Sequence, residues 1–294
     1  MYDIKKTFHA GSVQRALELL EENPGAILTA GGTDVMIRLK ERKLQQATLI
    51  SLLDIPELCT IRLDENGDLL IGAGVCFHSI YTSELVNRCT PMLAQACNMV
   101  GSPQIRNIAT IGGNLCNGAV SADSVPALLV LDAELTLVSL SGVRVVPVTQ
   151  FHTGPGKTVL AAGHEILTQI RIRRDNYENH GGKYLKFGQR NAMEISTLGC
   201  AVNCSLNADG SIRSFAIAFG VAAPRPIRCP KAEALMRGKM PTQALLQELR
   251  EAVALETQPR DSWRASRQLR VQLIREQAVR AARAAILSAG GSIT

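Results

Sequence analysis

The 294-residue sequence predicts an α+β chain folded into two or three compact units. Three observations carry that expectation. The chain is 46% apolar, enough at this length to bury more than one core. Strand-like and helix-like segments follow one another through its first half, and the last third places three strand-like runs ahead of two helices, the order of an α+β unit. Aromatic residues make up only 4%, with one Trp, so the cores have to be built mainly from Leu, Ile, Val and Ala.

Ser12 can cap a helix that runs to about Glu22, with Val13, Ala16, Leu17, Leu19 and Leu20 on one face and Asn23-Pro24-Gly25 as its stop. Residues 26–29 read as a short strand, after which Ala30-Gly31-Gly32-Thr33-Asp34 leads into a helical segment at 35–43. A second strand is expected at 48–52. Residues 60–63 and 69–75 form a hairpin around Asp64-Glu65-Asn66-Gly67-Asp68. A helix opens at Thr90-Pro91 and closes at Gly101, and a second glycine pair, in Thr110-Ile111-Gly112-Gly113-Asn114, is expected as a loop directly after it. Residues 125–131 and 135–140 are apolar runs of buried-strand or packed-helix type. The polar, aperiodic stretch 174–182 marks the expected boundary between a domain at 1–176, with subdomains of about 1–56 and 57–176, and a second domain at 181–288. Strands at 184–188, 197–206 and 215–221, with a hairpin at Asn207-Ala208-Asp209-Gly210, precede helices at 242–256 and around the arginine-rich stretch 260–283.

The net charge is +6 and seven arginines fall between Arg260 and Arg283. Val271, Ile274, Ala278, Ala282, Ala285 and Ile286 recur there at helical spacing, which puts the arginines on the opposite, solvated face. From Arg264 to Arg283 no aromatic residues interleave with them to stack on bases, so a solvated face or a docking surface for an acidic partner is favoured over a nucleic-acid site. The eight cysteines show no C-x-x-C and no small secreted framework, which argues against disulfides. Cys200 and Cys204 share one face of a strand and read as buried thiols. Cys116, two residues after the second glycine motif, either lines the same site or fills packing space. No signal-peptide core or membrane-length apolar run is present, and cytoplasmic residence is expected.

A Gly-Gly step lets the backbone take positive φ and approach a ligand closely, and flanking N–H groups with Thr33, Thr110 or Asn114 can cradle phosphate oxygens. Two such motifs about eighty residues apart point to a ligand with a diphosphate. Gly72-Ala73-Gly74-Val75-Cys76-Phe77 lacks the third glycine of the dinucleotide fingerprint, and Gly154-Pro155-Gly156-Lys157-Thr158 imitates only the end of a P-loop. Metal-ligand spacings and nucleophile or acid–base constellations are absent. That pattern suits a protein whose hard chemistry is carried by a bound redox cofactor.

Ala30-Gly31-Gly32-Thr33-Asp34, the string Gln104-Ile105-Arg106-Asn107-Ile108-Ala109-Thr110-Ile111-Gly112-Gly113-Asn114, Ser121-Ala122-Asp123 and Trp263-Arg264-Ala265-Ser266 resemble the FAD-binding subunit of bacterial xanthine dehydrogenase and related molybdenum hydroxylases, over essentially the whole chain. The resemblance implies an FAD-binding domain of the vanillyl-alcohol-oxidase (PCMH) type with two α/β subdomains, followed by a C-terminal α+β flavoprotein domain. It implies that Leu28, Thr29, Ala30, Gly31, Gly32, Thr33, Asp34 and Val35 wrap the FAD diphosphate and that Thr110, Ile111, Gly112, Gly113 and Asn114 form the second loop. It also implies that Asp123 hydrogen-bonds the cofactor, that Leu167 and Lys186 touch it, and that Ile195 packs near the isoalloxazine ring. Asn117 stands where some relatives carry Thr. No protein side chain is implied as catalytic, since flavin N5 carries the chemistry, and no metal is bound by this chain. The sequence lacks the cysteine patterns of two [2Fe-2S] clusters and the length of a molybdopterin domain. The resemblance therefore implies an iron-sulfur subunit and a molybdopterin-binding large subunit as partners, NAD+ as acceptor, and no nucleic-acid or membrane partner. The alternatives are a self-sufficient FAD oxidoreductase of the same fold class and a basic nucleic-acid-binding or scaffold protein.

Overall fold

The computed structural model describes residues 2–294. Its first layer is a small parallel sheet. Strands β1 (Ile4–His9), β2 (Ile27–Thr29) and β3 (Ala47–Ser51) lie in the order β1-β3-β2, with α1 (Val13–Glu22) and α2 (Val35–Lys40) as connections. Helix α1 starts where Ser12 Oγ accepts from the Arg15 amide, and its buried residues are Val13, Ala16, Leu17, Leu19 and Leu20, the face its periodicity predicts. Strand β1 gives no signal in the sequence, because its residues, IKKTFH, are mostly exposed and carry no clean alternation.

The second layer centres on an antiparallel sheet. Strands β4 (Ile61–Leu63) and β5 (Leu69–Gly72) form the expected hairpin, and the chain then runs through six short helices: α3 (Phe77–Thr82), α4 (Glu84–Cys89), α5 (Pro91–Asn98), α6 (Pro103–Ile108), α7 (Ile111–Cys116) and α8 (Ser124–Val130). Strands β6 (Glu134–Ser139) and β7 (Gly142–Pro147) follow. After α9 (Val148–Phe151) and a small hairpin of β8 (His152–Gly154) and β9 (Lys157–Thr158), strand β10 (Ile166–Ile172) inserts at the centre, giving the order β4-β5-β10-β6-β7.

One expectation is corrected in this layer. The second glycine motif does not follow α5 directly and is not a loop. Helix α6 intervenes, and Gly112 and Gly113 form the first turn of α7, whose N-terminus is capped by Thr110 Oγ1 accepting from the Gly113 amide. Two glycines disfavour a helix interior, but here the turn is fixed by the cap and by packing. The two apolar runs fall within the two types left open for them, the first as the packed helix α8 and the second as strand β6.

The third layer is the antiparallel sheet β11 (Gly181–Phe187), β12 (Leu198–Leu206), β13 (Ile212–Gly220) and β14 (Ile227–Arg228), covered by α10 (Pro230–Met236), α11 (Gln243–Glu256) and α12 (Arg267–Ser288). Its two faces differ in kind. Leu198, Cys200, Val202 and Cys204 with Phe215, Ile217 and Phe219 pack into the helical side, whereas Ala201, Ala216 and Ala218 join the core that contains α8. Small side chains on that face let α8 lie close to the sheet.

Helix α12 departs from its expected polarity in one residue. Arg270 is not on the solvated face; it is 2% exposed, and its guanidinium donates to the carbonyls of Thr197 and Arg260 and to Ser262 Oγ. Arg275 pairs with Glu251 on α11, so the arginines do not form one free cationic strip.

Candidate functional site

A cleft of about 720 Å³ opens between the parallel sheet and the helices that precede β6. Residues Leu28, Thr29, Ala30, Gly31, Gly32, Thr33, Asp34 and Val35 all line it, as do Thr110, Gly112, Gly113, Asn114 and Leu167. Ile111 does not: its side chain is fully buried in the central core. Asp123, Lys186 and Ile195 also lie outside the lining. Cys116 lines the cleft and also packs against the central core, so it does both of the things read for it, and burial pushes its thiol up to about 12, so it is no nucleophile.

The first glycine motif packs on the residues just ahead of the second. A Cβ on Gly31 would stand 2.0 Å from the Ile108 carbonyl oxygen, and one on Gly112 would stand 2.6 Å from the oxygen of Ala73. Those two glycines therefore serve backbone packing. Gly32 serves the chain's direction instead, since with φ of +68° it turns the backbone between β2 and α2.

The motifs offer a ligand different things. Among the described residues, the five consecutive amides from Ala30 to Asp34 donate to no main-chain carbonyl. In the second motif every amide from Ile111 to Asn114 is spent, on Val75 O at 3.0 Å, Ala73 O at 2.9 Å, Thr110 Oγ1 at 3.1 Å and Thr110 O at 3.0 Å. The first motif is thus an array of free N–H donors suited to anionic oxygens, and the second contributes side chains and a close wall. Asn114 is fixed there by Ser124, whose hydroxyl donates to Asn114 Oδ1 at 2.7 Å.

Few charges enter the cleft. Burial raises the Asp34 carboxyl, against the opposing pull of the nearby Asn117 amide and the charge of Arg38. Glu165 is held below the usual carboxylate range by a bidentate hydrogen bond from Arg144, with Nε at 2.6 Å and Nη2 at 2.8 Å, and it also accepts from the Ala161 amide. The remaining wall is largely apolar, with Leu20, Leu28, Leu58, Phe77, Val100 and Leu160. Such a site can bind a phosphate-bearing molecule with extended apolar parts. It holds no nucleophile paired with a base.

Behind Asn114 lies a second polar cluster that is only partly legible in the sequence. The Asp123 carboxylate is buried and accepts from Tyr184 Oη at 2.7 Å, from Ser196 Oγ and from Lys186 Nζ at 2.8 Å. Lys186 also donates to the Met99 carbonyl at 2.8 Å. Tyr184 and Ser196 carry no signal of their own because neither sits in a local motif; only the pairing of β11 and β12 against α8 brings them to Asp123.

The family described as the FAD binding domain in molybdopterin dehydrogenase matches residues 3–173, and the CO dehydrogenase flavoprotein C-terminal domain matches residues 183–285. The xanthine dehydrogenase FAD-binding subunit of Escherichia coli O157:H7 is 40% identical over 293 residues, covering 100% of both chains. This chain belongs to the FAD-binding subunits of the molybdopterin dehydrogenases. A further relative is the nicotinate dehydrogenase FAD-subunit of Eubacterium barkeri, 32% identical over 76% of this chain and 75% of that one. Among solved structures, a carbon monoxide dehydrogenase from Hydrogenophaga pseudoflava superposes with a TM-score of 0.92 at 28% identity, covering 98% of this chain and 99% of that one. The cofactor of this FAD-binding subunit is FAD. The cleft fits it, with five free amides for a diphosphate and glycines at 31 and 112 where any side chain would collide with backbone.

Proposed function

We propose that this chain is the FAD-carrying electron-transfer subunit of a xanthine-dehydrogenase-like molybdenum hydroxylase, taking electrons from the [2Fe-2S] clusters of a partner subunit and delivering them to NAD+. The observation that carries the reading is the array of free amides from Ala30 to Asp34, in a chain matched end to end by a xanthine dehydrogenase FAD-binding subunit. Residues 28–35 hold the diphosphate through main-chain N–H groups. Thr110, Gly112, Gly113 and Asn114 form the facing wall, and Leu167 closes it from β10. Ile111 supports that wall from the core. Asp123 and Lys186 act from the cluster behind Asn114, and Ile195, 51% exposed on the segment after β11, is available to cover the ring. When bound, FAD supplies the one- and two-electron redox chemistry that no side chain here can supply. The apolar wall excludes water from it.

The partners in this reading are an iron-sulfur subunit and a molybdopterin-binding large subunit, in the cytoplasm. Purification of the chain from its native host tests it. The expected result is a yellow complex that contains both partner chains and reduces NAD+ when given a substrate of the molybdenum site. A chain that carries and accepts no FAD overturns the reading. A flavin-loaded complex that reduces oxygen but not NAD+ removes the acceptor assignment alone.

A further inference from the structure

The Asp123 cluster is more elaborate than an ion pair requires. Asp123 precedes α8 but does not cap it with its side chain; its oxygens are turned instead toward β11 and the segment before β12. Tyr184 is fully buried, and burial, reinforced by the nearby Asp123 charge, holds its phenol well above its ordinary value, so it stays a donor at any working pH. Room for its hydroxyl is provided by Gly199, where a Cβ would stand 2.8 Å from Tyr184 Oη. An ammonium has three protons. Lys186 commits one to Asp123 and one to the Met99 carbonyl, which leaves one.

Two neutral donors on Asp123 therefore decide how strongly that carboxylate offsets the Lys186 charge. Charge near a flavin ring tunes its electronics. We propose that Tyr184 and Ser196 are positioning residues that act through Asp123 and Lys186 to set the reduction potential of the bound flavin. This inference rests on the reading above, in which Asp123 and Lys186 act on the cofactor from the cluster behind Asn114, outside the cleft lining. Removing either hydroxyl leaves the carboxylate less neutralised, makes the surroundings more negative, and disfavours the reduced flavin, which carries the greater negative charge.

The test uses the full-length chain loaded with FAD, as wild type, Tyr184→Phe, Ser196→Ala and Gly199→Ala. The last displaces the tyrosine hydroxyl without deleting it. At a poise fixed by a reference dye, the reduced-to-oxidised flavin ratio is expected to fall about tenfold in Tyr184→Phe, which is about 30 mV for a two-electron couple. Ser196→Ala and Gly199→Ala are expected to move it in the same direction, with a shift in the visible flavin band. Variants that melt at lower temperature but keep the wild-type ratio and band show a purely structural role and overturn the inference. Should Tyr184→Phe fail to fold, Ser196→Ala carries the same decision. Wild-type chain that takes up no FAD overturns the parent reading instead.

Discussion

Gly31 rests against the Ile108 carbonyl so closely that an added Cβ would lie 2.0 Å from the oxygen, and this contact holds the first glycine motif against the end of α6, just ahead of the second. Gly31→Ala has no flexible side chain to push aside. Overpacking of this kind costs about 1–3 kcal/mol, with backbone collisions at the upper end. Denaturant unfolding of the FAD-free chain is expected to show that loss. Gly32→Ala makes only ordinary contacts, with the Thr29 and Met36 side chains at 3.4 and 3.6 Å, and meets mainly the strain of its φ of +68°, about 1–2 kcal/mol. Equal stability of wild type and Gly31→Ala would show that the contact does not constrain the wall.

Thr110 caps α7 through the Gly113 amide. Thr110→Ala is expected to destabilise the chain by about 0.5–2 kcal/mol. Thr110→Ser restores the cap and most of the stability. Titration with FAD should show weaker binding in the alanine variant only.

The Lys186–Asp123 pair is buried, with side-chain exposures of 13% and 7%. Breaking one partner of such a pair leaves an uncompensated charge and costs about 3–5 kcal/mol. Lys186→Met is therefore expected to be worse than Lys186→Met combined with Asp123→Asn. A double-mutant cycle on the FAD-free chain measures the difference; additive losses would show that the pair is not coupled.

Glu165 gives the cleft an acid limit. Its pKa is depressed by Arg144, so its contribution to stability is present above the unfolded-state value and disappears as pH falls through the folded one. Melting temperatures recorded downward from pH 6 are expected to fall more steeply for wild type than for Glu165→Gln. Parallel curves would deny the linkage.

Arg270 and Arg280 share a helix but not a fate. Arg270→Ala abandons the carbonyls of Thr197 and Arg260 in a buried site, at a cost of about 1–3 kcal/mol, whereas exposed Arg280→Ala should stay within about 0.5 kcal/mol of wild type. Thermal unfolding separates the two outcomes.

Much of the fold is legible because it is local. The α1 face, the Asp64 to Asp68 turn and the Asn207 to Gly210 hairpin each carry their signal within a few residues. The glycine motifs point to a phosphate cradle, but nothing in them says that one spends its amides inward and the other leaves them free. That division depends on Ala73 and Val75, which reach α7 from a distant hairpin. Strand β7 is silent in the sequence because two of its three valines, Val143 and Val145, are exposed at a sheet edge and only Val146 reaches the core, which leaves no alternation. Central strand β10 is hidden by Gln169 and Arg171 in its apolar run; Arg171 answers Asp68 across the neighbouring strand. Arg270 reads as a surface residue until Thr197 and Arg260 are brought beneath it.

Because the cradle is built where residues distant in the chain press backbone to backbone, FAD held there is a ligand of the folded form, and its binding adds to the stability of this part of the fold. A ligand that binds only the folded form stabilises it by about 2.7 kcal/mol at one hundred times its dissociation constant. Yellow colour in a preparation of this subunit is then a gauge of stability as well as of redox competence, and the FAD-loaded chain is expected to resist proteolysis better than the FAD-free one.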